Sequence, residues 1–131
     1  MLMDSIQIEQ LSKELNKLNS VLGIIGTVLV NRNGLTITSQ VHRSFNEKKI
    51  GALAATMFEA METATEQLDD NIINITVEYD DYQLLIIAVT NQVILVTLIE
   101  YDIDLGIILI EVDESLSSIK EIIRVDKIVD K

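Results

Sequence analysis

The chain has 131 residues, 48% of them apolar but only 4% aromatic, with no cysteine, no proline, one histidine and a net charge of −11. That length suits one domain built on Ile, Leu, Val, Ala and Met, and the missing cysteines exclude disulfides, thiolate metal sites and cysteine nucleophiles. The acid is unevenly placed: between Lys49 and Lys120 there is no basic residue while fourteen Asp and Glu occur, which argues against nucleic acid and membrane as partners. Such a surface suits a basic protein partner, or it simply keeps an apolar domain soluble.

The opening MLMDSIQIEQ lacks the basic start and apolar stretch of a secretory signal, so a cytoplasmic protein is expected. Residues 4–22 then place Ile8, Leu11, Leu15, Leu18 and Leu22 at alternating three and four spacings, with Asp4 and Gln7 in capping-box register, which predicts a first helix. The segment GTVLVNRNGLTITSQ, residues 26–40, reads as a β-hairpin with strands near 24–31 and 35–39. Asn33-Gly34 is its predicted two-residue turn, since both residues tolerate positive φ.

Ser44-Phe45-Asn46-Glu47 forms a second capping-box pattern ahead of a long helix. There Ile50, Ala54, Met57, Met61, Ala64 and Leu68 alternate four and three, a stripe expected to face the core. Beside it run Gly51, Ala55 and Phe58, small residues that either admit a second backbone or widen the core-facing side. Three strands follow near 72–79, 82–90 and 93–100, joined by Asp80-Asp81 and Asn91-Gln92 into an antiparallel meander. The last two are apolar on consecutive positions, which calls for helices on both faces of the sheet. INITVEY, the first, alternates apolar and polar and carries neither Pro nor Lys, so as an edge strand it would be unguarded. Leu105, Ile108, Val112, Leu116, Ile119 and Ile123 predict a final helix with Asp104 at its start. One domain over 1–124 and a short tail over 125–131 complete the expected organisation.

Reactive constellations are few. His42 lies in a loop beside Arg43, away from any triad spacing; Glu100, Asp102 and Asp104 lack the pattern of a calcium loop; no P-loop motif occurs. No catalytic, cofactor-binding or metal-binding residue is assigned, and no enzymatic activity is expected.

The order helix, two strands, helix, three strands, helix, with the hairpin GTVLVNRNGLTI, a helix beginning KIGALAAT and a last helix entered through Asp104-Leu105-Gly106, resembles the roadblock family, the dynein-light-chain type domain. The likeness runs from about Ser5 to Arg124 and is carried by turn and packing residues: Gly26, Val30, Gly34, Leu35 and the stretch Gly51 to Ala55. It implies an α+β fold, a five-stranded antiparallel sheet with the long helix on one face and the two terminal helices on the other. It further implies pairing of the third strands edge to edge with the long helices side by side, giving a homodimer with a ten-stranded sheet, or a heterodimer with a sister roadblock protein. The implied interface is Gly51, Ala55 and Phe58 with Ile73, Asn74, Ile75, Thr76 and Val77.

The function the resemblance implies is a non-enzymatic scaffold or regulator of a small Ras-like GTPase; the candidate docking face, read from the charge pattern, is the exposed side of the long helix carrying Glu59, Glu62 and Glu66. Arg32, in the hairpin turn, is expected to be a solvated turn residue and not a finger inserted into the GTPase. A structural adaptor such as a motor light chain, and a small-molecule sensor, are the other two readings.

Overall fold

The computed structural model describes residues 3–129, with side chains described from Met3 to Arg124. The first helix, α1, spans Ser5–Asn19 and starts as its sequence dictates: the Gln7 N–H donates to Asp4 Oδ1 at 2.8 Å and the Asp4 N–H to Gln7 Oε1 at 3.1 Å, a complete capping box. Leu11, Leu15 and Leu18 are buried, but the helix stops short of the predicted end and Leu22 stands 86% exposed. Gly23, at φ 100°, turns the chain into β1 (Ile24–Asn31).

The hairpin from β1 to β2 (Thr36–Val41) closes differently from the two-residue turn expected. Gly34 N–H donates to Asn31 O at 2.9 Å, so Arg32 and Asn33 are the central residues, and Gly34 alone takes positive φ, at 85°. Asn31 explains the change. Its Oδ1 accepts from both Asn33 N (2.9 Å) and Leu35 N (3.1 Å), holding a longer loop whose left-handed position falls to glycine.

The long helix, α2, spans Glu47–Ala64 and is capped by Asn46, whose Oδ1 accepts from Lys49 N, not by Ser44 as the capping-box pattern suggested. A single 3₁₀ turn, Glu66–Leu68, and a left-handed Asp69 (φ 60°) end it. Strands β3 (Asn74–Glu78), β4 (Tyr82–Ala88) and β5 (Val93–Glu100) form the meander, and α3 (Leu105–Val129) closes the order. The backbone of 125–129 thus prolongs α3 where a tail was expected, and residues 130 and 131 lie outside the described residues.

The five strands lie in the order β2-β1-β5-β4-β3, every pairing antiparallel. The central β5 is buried on both faces because two cores sandwich it. On one face Leu29, Leu85, Leu95 and Ile99 meet Leu11, Leu15 and Leu18 of α1 and Ile108, Val112 and Ile119 of α3; on the other Val28, Val30, Leu84, Ile86 and Val96 meet Ala54, Ala55 and Phe58 of α2. A polar relay ties α1 to the sheet: Thr27 Oγ1 donates to Asn19 Oδ1 at 3.0 Å, and Asn19 Nδ2 to the Gln40 carbonyl of β2 at 2.7 Å. The layered fold is the one expected from sequence. No helix among the described residues is long and apolar enough to cross a membrane.

Candidate interaction surface

Strand β3 is the outer strand beyond β4, and one side of its backbone has no partner strand. Among the described residues no side chain hydrogen-bonds to it either, whereas the opposite edge, β2, has its Gln40 carbonyl engaged by Asn19. The cross-strand pairs Ile75 with Ile86 and Val77 with Leu84 set the faces: Ile75 and Val77 point to the α2 side, half-buried, while Asn74 and Thr76 are exposed on the other. Ile73, just ahead of the strand, is 75% exposed. Unpaired N–H and C=O groups beside exposed aliphatic side chains make a template for another strand.

The core-facing side of α2 takes in the second stripe and only the first half of the one expected there: Ala54 is buried and Ile50 half-buried as expected, but Met61, Ala64 and Leu68 turn outward. Gly51, Ala54, Ala55 and Phe58 are buried against the chain's own sheet, so Gly51, Ala55 and Phe58 are not offered to a second copy. The reason is steric at Gly51. A Cβ there would lie 2.6 Å from Val30 Cγ1, so this glycine already serves the close approach of α2 to β1. Met61 and Leu68, expected in the core, are exposed with Leu53, and Met57 is half-buried. Leu53, Met57 and Met61, each four residues apart, form an apolar flank of α2 on the sheet face that Ile75 and Val77 share.

A Gly51→Ala variant tests that packing. Helix propensity alone would favour alanine by about 1 kcal/mol, but the stiff, fully buried Val30 must move. A net destabilisation of ~1 kcal/mol or more is expected in urea denaturation.

Glu59, Glu62 and Glu66 are exposed along the other flank of α2, but Glu62 has an internal task. It is ion-paired to Arg32 Nη1, and the Arg32 guanidinium lies 4.8 Å above the Phe58 ring. Arg32 is therefore clamped between α2 and the hairpin, not solvated, with its side chain only 27% exposed. Nothing in local spacing announces this pair, whose members are thirty residues apart. His42 is exposed and bonded to Ser44, and no group of three metal-ligating side chains forms among the described residues.

What these residues assemble is surface: a free sheet edge, an apolar helix flank and an acidic one. Residues 11–99 match the Roadblock/LC7 domain family, and the chain belongs to it. Among its relatives is the uncharacterized protein MJ0310 of Methanocaldococcus jannaschii, 27% identical over 110 residues, which cover 84% of this chain and 96% of the relative. In structure the chain is similar to Myxococcus xanthus MglB, with a TM-score of 0.86 at 18% identity and 95% of each chain covered. It is also similar to an MglB solved in a tetrameric arrangement, with a TM-score of 0.82 at 12% identity and 93% of each chain covered. At such identities the likeness is one of fold.

Proposed function

We propose that two copies of this chain join through β3 and that the pair acts, with no catalysis of its own, as a cytoplasmic platform regulating a small Ras-like GTPase. The observation that carries the pairing is the edge itself: Ile73, Asn74, Ile75, Thr76 and Val77 form an unguarded border next to the apolar flank of α2. Joining two such borders would bury Leu53, Met57 and Met61 of both copies over a continuous sheet. Self-assembly of the MglB solved as a tetramer is in keeping with this. A sister roadblock chain would use the same edge, and the mass of the assembly separates the two cases.

The GTPase reading rests on family membership and on the acidic flank of α2. Arginine is the side chain usually inserted to neutralise phosphoryl-transfer charge. Of the three here Arg32 is engaged with Glu62 and Phe58, while Arg43 and Arg124 are exposed but lie outside α2, so any influence on hydrolysis through its acidic flank would be indirect. Glu59→Lys combined with Glu66→Lys is the appropriate test, leaving Glu62 in place to hold Arg32. Capture of GTPases loaded with GDP or a GTP analogue should fall ~10-fold or more in this variant, as for lost charge complementarity, with the dimer unchanged. Undiminished capture would remove this flank as the docking face, and nucleotide-indifferent capture of a protein that is not a GTPase would favour the adaptor reading.

A further inference from the structure

A second exposed apolar region lies on the opposite side of the sheet from α2. Helices α1 and α3 pack there in antiparallel fashion: Gln7 Nε2, near the start of α1, donates to the Ile122 carbonyl of α3 at 3.2 Å, while Glu14, Lys17 and Val21 near its end line a groove of about 220 Å³ with Glu111, Glu114 and Ser118. At the head of this groove the chain leaves α1, and Gly23 sits directly against Ile103. Leu22 is exposed there, and Ile107 and Ile110, in the first turns of α3, are 62% and 65% exposed.

Helical spacing joins these pieces. Ile107, Glu111, Glu114 and Ser118 recur at i, i+4, i+7 and i+11, one face of α3, and Ile110 stands one turn before Glu114. None of this aliphatic surface is needed by the core beneath, which is completed by Ile108, Val112 and Ile119. Large aliphatic side chains left exposed beside polar groups at one end of a helix pair are candidates for an interaction site.

The rim decides what fits. Glu14, Glu111 and Glu114 stand in the groove, Asp102 and Asp104 precede α3, and Lys17 is the one cation among the residues lining it. An anionic lipid surface would be repelled by that rim. A helix laid into a groove between two antiparallel helices needs an apolar stripe for the head and opposite charge along its flanks. We infer that Leu22, Ile107 and Ile110, with Glu14, Glu111 and Glu114, form a docking surface for a basic amphipathic helix of a partner protein. The site is separate from β3 and α2, so it neither requires nor excludes the pairing proposed above.

The test uses the full chain and a fluorescent synthetic amphipathic helix with leucines on one face and lysines on the other, alongside the same peptide with glutamates in place of lysines. Backbone amide NMR should show shifts confined to residues 13–22 and 101–118 on adding the lysine peptide. Ile107→Ser with Ile110→Ser, both at exposed positions, should weaken binding ~10-fold or more, as loss of a buried apolar anchor does, and Glu111→Lys with Glu114→Lys should do so independently. Leu53→Ser with Met61→Ser on α2 should leave binding intact. Equal binding of the glutamate peptide, undiminished binding in the Ile107/Ile110 variant, shifts centred on α2, or Ile107-dependent self-association in light scattering would each overturn the proposal.

Discussion

If two copies join as proposed, an Ile75→Lys variant is expected to lose that homodimer, its dissociation constant rising about 100-fold, or ~2.8 kcal/mol, while the monomer remains folded. Ile75 sits at the middle of the five-residue β3 with its side chain half-buried toward the α2 face. In a two-fold assembly the same patch meets itself, so a lysine placed near the axis faces its own copy as well as losing its apolar contacts. In the monomer the cost is small, because at an outer strand the ammonium can reach water along its aliphatic stem. Sedimentation velocity across a concentration series reads the first effect, and far-ultraviolet circular dichroism the second. A variant that dimerises as tightly as the parent would move the contact elsewhere.

Phe58→Ala should cost the fold about 3–5 kcal/mol in chemical denaturation, a large fraction of what holds a domain of this size together. Phe58 is 1% exposed, the largest buried side chain on the α2 side, and it also supports the Arg32 guanidinium. Truncation therefore opens a cavity among Val28, Val30 and Ile86 and leaves Arg32 without the ring beneath it. Met61→Ala, one turn along but exposed, should barely change monomer stability and should weaken the dimer instead. The contrast separates the inward and outward flanks of one helix. Similar losses for both substitutions in the monomer would contradict the orientation of α2.

Sequence periodicity made most of the architecture legible and failed where tertiary contacts choose between local options. Consecutive aliphatics in β4 and β5 correctly required helices on both faces, and the Asp4–Gln7 box fixed the start of α1. On α2 two adjacent stripes were both apolar enough to face a core, and the buried side falls between them: Ala54 of one joins Gly51, Ala55 and Phe58 of the other, with Gly51 letting the helix settle close to β1. Spacing measures how regularly apolar residues recur; it does not measure how near the sheet can come. The hairpin was recognised from Asn33-Gly34, but its loop type depended on the Asn31 side chain, whose bonds to Asn33 and Leu35 no pattern of turn residues reveals. The Arg32–Glu62 pair was illegible for a simpler reason, since it joins a hairpin to a helix across thirty residues of chain.

The edge position of β3 could be suspected from its alternation and its lack of Pro and Lys, yet only the strand order made it an edge. Amide hydrogen exchange along Asn74–Glu78, followed as the protein is diluted, puts the shared border to its most direct test. Two chains that complete each other there should protect the outward amides of this segment at high concentration and release them together as the dimer dissociates. Fast exchange of those amides at every concentration, in a protein that still sediments as a dimer, would contradict the account.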